Sequence, residues 1–145
     1  MGGGRLVKEC NFKIRTTIDD AKERYLKLMS PKEEYEWDDI QKSFHIGEVY
    51  ISQKDGYILF EDMNGEAFFG WETSLWIDFA GKDEVVYAYY DEDGNAEVVY
   101  IKDEICIRDF RIYEFEIDTD ECKINFQYHI SNYNDVASFL DENLH

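Results

Sequence analysis

The chain has 145 residues, of which 44% are hydrophobic and 17% aromatic, with 15 Lys/Arg against 33 Asp/Glu for a formal net charge of −18. That length and apolar content suit one domain over residues 1–145 with an ordinary core, and they exclude a disordered acidic tail. A single-sign field of this size repels nucleic acid and anionic membrane and steers basic partners in.

The charge is uneven: residues 1–30 carry seven Lys/Arg against four Asp/Glu, whereas residues 31–121 carry seven against 26. No run of about 18 apolar residues is present to span a membrane. Met1-Gly2-Gly3-Gly4-Arg5 lacks the apolar stretch of a signal peptide. Cys10, Cys106 and Cys122 are few and have no CxxC spacing, which points to a reducing compartment, so the expected location is cytoplasmic.

In chain order, Leu6 to Ile14 alternates apolar and polar residues and predicts a first strand. Thr17 then stands as an N-cap before Ile18, Ala21, Tyr25, Leu28 and Met29 at helical spacing, and Ser30-Pro31 ends that helix. Residues 33–44 read equally as a helix face or as aromatic anchors in a loop. Asp55-Gly56 and Asn64-Gly65 are hairpin dipeptides that predict a meander of strands at 47–54, 57–63 and 66–72. Trp76-Ile77-Asp78-Phe79 reads as the next strand. Val85–Tyr90 and Glu97–Ile101 form a hairpin about Asp93-Gly94. A phase slip near Arg108-Asp109-Phe110 predicts a bulge. Arg111–Ile117 then turns through residues 118–121 into a strand at 122–129, and Asn134 opens a C-terminal helix carrying Val136, Phe139, Leu140 and Leu144. The expected fold is α+β: a large, curved antiparallel meander of seven to nine strands, with one or two N-terminal helices and a C-terminal helix.

No constellation names a reaction. With Gly94 at the glycine position of a calcium loop, the closing bidentate carboxylate would have to be Tyr100, so the Asp91-Glu92-Asp93-Gly94 stretch is a turn and not an EF-hand. His45, His129 and His145 are far apart, and a zinc site would have to be assembled from distant strands, so no metal and no cofactor are expected. Cys122, in register with Ile124, Phe126 and Tyr128, reads as core filler. Glu114, Glu116 and Asp118 line one face of one strand at roughly 7 Å spacing, which is glycosidase-like, but such a row ordinarily solvates an outer face. The chain is expected not to be an enzyme.

The aromatic residues carry the remaining signal. Trp71, Trp76, Tyr89 and Tyr90 are candidate anchors of a protein interface, with Glu72, Asp78, Asp91, Glu92 and Asp93 as its acidic rim.

In size, acidity and composition the chain resembles the immunity proteins of bacterial toxin systems. That resemblance implies an inhibitor that occludes the active site of a basic cognate toxin such as a nuclease. In its layout of strand, helices and meander it is also similar to the intracellular fatty-acid-binding barrels of the calycin type. Those proteins hold an apolar carboxylate with an Arg-x-Tyr pair, a form matched here by Arg111-Ile112-Tyr113, though not in the last strand.

Overall fold

The computed structural model describes residues 8–29, 36–38, 43–46, 48–123 and 126–145. Alternation dictates strand β1 (Lys8–Ile14), on which Cys10, Phe12 and Ile14 are all fully buried. Helix α1 (Ile18–Met29) begins where its cap predicts, with the Thr17 hydroxyl accepting from the Asp20 amide at 3.2 Å. Ile18, Ala21 and Tyr25 form its buried stripe. Within the ambiguous stretch at 33–44, β2 (Glu36–Asp38) and β3 (Ser43–Ile46) are short paired strands, and residues 33–35 and 39–42 lie outside the described residues. Strands β4 (Val49–Lys54) and β5 (Tyr57–Asp62) pair Lys54 with Tyr57 across Asp55-Gly56, as that dipeptide predicts.

The strands expected at 66–72 and 76–79 do not form. The Asp62 carboxylate accepts from the Asn64 amide at 3.0 Å and the Ala67 amide at 2.5 Å, so the Asn64-Gly65 turn leads the chain out of the sheet. Helix α2 (Thr73–Ala80) follows and buries Trp76, Phe79 and Ala80. Arg24 of α1 fastens its end, donating to the carbonyls of Phe79 and Ala80 at 3.0 and 2.9 Å.

Strands β6 (Val85–Asp91), β7 (Ala96–Lys102), β8 (Ile105–Tyr113) and β9 (Glu116–Cys122) complete the sheet. Two of their turns are two-residue loops with positive φ at both positions and no glycine: Asp103-Glu104 (54° and 65°) and Glu114-Phe115 (52° and 64°). The last hairpin therefore turns at 114–115 and not at 118–121. The Lys123 amide still bonds to the Ile107 carbonyl at 2.8 Å, but residues 126–129 form no strand, so the strand expected at 122–129 is absent there, while 124–125 lie outside the described residues. The expected bulge is present. Tyr100 pairs with Arg108 and Ile101 with Cys106, leaving Ile107 as the extra residue. Helix α3 (Tyr133–Asn143) is capped by Asn132, which accepts from the Asp135 amide at 2.9 Å, rather than by Asn134.

Among the described residues all pairings are antiparallel, and nine strands form one open sheet in the order β2-β3-β4-β5-β1-β6-β7-β8-β9. The α+β expectation holds, but the meander is split in two by β1, which sits at the centre of the sheet, and α2 carries the chain from β5 to β6. Helices cover both faces. On one face, Phe12, Phe60 and Tyr87 pack under Trp76 and Phe79 of α2 and Tyr25 of α1, with Phe12 and Phe60 stacked at 4.2 Å and Trp76 and Tyr87 at 4.5 Å. On the other face, Val86, Ala88, Val98, Phe110 and Ile112 pack under Val136, Phe139 and Leu140 of α3. This double coverage explains why β6 is apolar on both sides.

Candidate functional site

The sheet places a buried carboxylate beneath the start of α2. Glu97 of β7 is completely buried and accepts from the Tyr87 hydroxyl at 2.7 Å, the Gly70 amide at 3.1 Å, Arg111 Nη1 at 3.1 Å and the Tyr113 hydroxyl. Asp109 accepts from Arg111 Nε at 2.8 Å and from the Thr73 hydroxyl. Burial works against the Arg111 charge, but the hydrogen bond and charge of Asp109, with the charge of Glu97, outweigh it and raise its pKa above the usual arginine value. Burial likewise pushes up the phenols of Tyr87 and Tyr113, reinforced in each by the Glu97 carboxylate. This network is structural: it holds the 66–72 segment and α2 onto the sheet. Arg111 and Tyr113 do share a face and do clamp a carboxylate, but it is that of Glu97. With the sheet open and this clamp filled from within, the features that suggested a fatty-acid barrel are otherwise employed.

The aromatic and acidic residues singled out in the sequence separate in space. Trp76 is fully buried between Phe12 and Tyr87, and Tyr89 is 2% exposed, so neither serves as a surface anchor. Their apolar neighbours in sequence look the same whether they lie in a core or at an interface, and here the helix α2 packs them inward. Asp91 is also buried and is consumed by its own loop, accepting from Tyr89 Oη at 2.6 Å, the Asp93 amide at 2.8 Å, and the Asn95 amide and Nδ2 at 3.1 and 3.0 Å. Burial raises the pKa of that carboxyl, but the hydrogen bonds together lower it below the usual aspartate value. Glu92 and Asp93 are exposed at the loop tip, which is a turn as expected. Trp71 is half-buried against Trp76 at 4.7 Å, and Glu72 is exposed at the N-cap of α2. Asp78 is exposed on α2 and lines a groove of ≈ 470 Å³ between α1 and α2. Tyr90 lies on the opposite face, packed edge-on to Tyr133 of α3 at 6.1 Å. These nine residues do not make one patch.

The residues suggested for catalysis also move. Glu114 lies in the turn, and a register shift between Arg111 and Ile112 places Asp118 as a bulge, so Glu114, Glu116 and Asp118 do not line one face. Cys122 is exposed at the end of β9 and is not core filler. Cys10 is buried, and burial first, with Asp62 next, drives its thiol well above the usual range. Burial likewise pushes the Cys106 thiol up to about 11, with Asp109 adding to the effect.

The surface that sequence reasoning missed is the outer strand, β9. Six of its seven residues are exposed, on both faces of the sheet, and it carries Glu116, Asp118, Asp120 and Glu121. Phe115 and Ile117 stand beside these acids, 68% and 55% exposed. Cross-strand partners point to the same side. Ile117 and Asp120, opposite Ile112 and Phe110, therefore face the α3 layer, and Glu116 and Glu121, opposite Tyr113 and Asp109, face the α1/α2 layer. Arg108 neutralises Asp120 at 2.7 Å and stacks over Phe110, while the other three acids have no cation partner among the described residues. Phe115 is held outward in a left-handed backbone conformation, its amide bonded to the Gly94 carbonyl at 2.9 Å and its ring lying over Gly94. An exposed bulky residue in that conformation is uncommon. The signal available in the sequence was the run of four acids around Ile117, hidden by the wrong position for the last turn.

No protein-family model, curated protein or solved structure was found to match the chain. Among the described residues, no helix is long and apolar enough to cross a membrane.

Proposed function

We propose that this chain is a cytoplasmic, non-catalytic protein-binding inhibitor of the immunity type, that its partner is a basic protein, and that β9 is the docking strand. The single observation that supports this reading is the exposed edge itself. An outer strand presents unpaired main-chain donors and acceptors, which an extended segment of another protein can pair with. Carboxylates on both faces of β9 repel a second acidic edge and favour a strand bearing Lys or Arg. Phe115 and Ile117 supply apolar contacts that a purely protective charged edge would not expose. The net charge of −18 adds long-range attraction that speeds the encounter. Against a basic toxin such as a nuclease, whose active site is itself cationic, an acidic strand laid across that site would exclude its anionic substrate.

The test is affinity capture from the host lysate with this chain as bait and an acidic protein of equal net charge as control, eluted by rising salt. One basic protein retained to high salt by this chain alone is the expected result. Recovery of the same nucleic-acid-binding proteins by both baits would reduce the acidity to a solubility device and sink the proposal.

A further inference from the structure

The fold assembles one set of metal-ligand types from residues far apart in the chain. Glu9 lies near the start of β1, Asp141 in the last turn of α3, and His145 just beyond it. Glu9 pairs with Tyr90 across β1 and β6, and so faces the α3 layer. His145 Nε2 stands 3.6 Å from Glu9 Oε2 and 3.6 Å from Asp141 Oδ1, and one ligand atom from each of the three residues lies within 4.8 Å of the others. For zinc bonds of about 2.0–2.2 Å in tetrahedral geometry, neighbouring ligand atoms are about 3.3–3.6 Å apart. Closing the trio around a cation therefore needs movements of tenths of an ångström to about one ångström, in side chains exposed enough to make them.

The imidazole is positioned by groups outside the trio. Leu144 is fully buried, its amide donates to the Leu140 carbonyl at 2.9 Å, and its carbonyl accepts from Asn11 Nδ2 at 2.7 Å. The His145 carbonyl accepts from the Tyr57 hydroxyl at 3.3 Å. Strands β1 and β5 thus fix the backbone that presents the ring, which limits the ordering a metal would have to impose. One imidazole nitrogen and two carboxylates make a donor set for a borderline first-row divalent cation, and the paired negative charges match a +2 ion. Three protein ligands leave a position for water.

We propose that Glu9, Asp141 and His145 form a binding site for one divalent transition-metal ion of the zinc class, which staples the chain after α3 to the central strand. The proposal is independent of the β9 reading. The experiment is calorimetric titration of the tag-free, chelator-treated full chain with zinc chloride, followed by cobalt(II), whose visible absorption reports coordination number. Expected are one saturable site, a cobalt spectrum of low-coordinate character, and little competition from excess magnesium. His145→Ala and Glu9→Gln should each weaken zinc binding at least about tenfold, while Asp118→Asn/Glu121→Gln on β9 should leave it unchanged. These positions are exposed enough for the variants to fold, which far-ultraviolet dichroism checks. Weak, non-saturating binding equal in all four proteins, or binding unaffected by His145→Ala, would overturn the proposal.

Discussion

The conformation of Phe115 supplies a quantitative test of whether its ring serves the fold or a partner. Consider Phe115→Gly. The ring is 68% exposed, so about one-third of a side chain of roughly 200 Å² is covered, chiefly by Gly94 and Tyr133 at 5.7 Å. At about 25 cal/mol per Å², losing that contact costs about 1.6 kcal/mol. In the other direction, a non-glycine residue held at φ 64° carries about 1–2 kcal/mol of backbone strain that glycine removes. Glycine returns about 0.5–1 kcal/mol of that gain as unfolded-chain entropy. The terms partly cancel, so urea unfolding should show a net loss of about 0.1–1.6 kcal/mol, or at most about 6 °C in Tm. Binding of the captured partner, by contrast, should weaken at least about tenfold, as for a central aromatic contact. A stability loss above about 3 kcal/mol would refute the reasoning and make the ring a structural clamp between the two loops.

Other outcomes follow from the same geometry. Gly94→Ala places a Cβ 2.4 Å from the Phe115 ring at a position with φ 83°, and should cost about 2–3 kcal/mol, of which about half is recovered in the Phe115→Gly background. Additive costs in that double-mutant cycle would mean that the loops are uncoupled. Glu97→Ala strands the Tyr87 hydroxyl and half the Arg111 fork in the core and releases the half-buried Tyr113 hydroxyl and the Gly70 amide, and should cost about 3–5 kcal/mol in denaturant unfolding. A loss under about 1 kcal/mol would contradict the anchoring role given to this carboxylate. Because the Asp91 carboxyl is lowered in the folded state, its stabilisation is complete above the ordinary aspartate pKa and disappears as pH falls through the folded-state value. The stability gap between the parent and Asp91→Asn should therefore be constant from neutrality to about pH 5 and shrink below about pH 4, and a gap independent of pH would exclude the charge as its source.

Much of the fold was legible because local rules governed it. Alternation set β1, the Thr17 cap set the start of α1, Asp55-Gly56 set the β4–β5 hairpin, and the phase slip located the bulge at Ile107 to within a residue. What failed was local sequence answering to distant contacts. Helix α2 is only eight residues long, too short for Leu75, Trp76, Phe79 and Ala80 to show a helical period against a β-prone background. The turns at Asp103-Glu104 and Glu114-Phe115 carry positive φ without glycine or asparagine, so their composition gives no warning, and the misplaced second turn shifted every residue of the last hairpin. The central position of β1 depends on pairing with β5 and β6, some 50 to 80 residues away. The candidate site failed for the same reasons: Trp76, Tyr89 and Asp91 are buried by that topology, and the acids of β9 became an open edge only once the turn was placed.

The central claim, that β9 receives a basic partner strand, is tested most directly by amide hydrogen exchange on the captured complex. In the free chain the outward amides of 116–122 should exchange rapidly. In the complex, alternate amides of that strand should slow at least about a hundredfold, with the periodicity of a new ladder. Protection confined to α1, α2 or α3, with β9 still exchanging as in the free chain, would contradict the account.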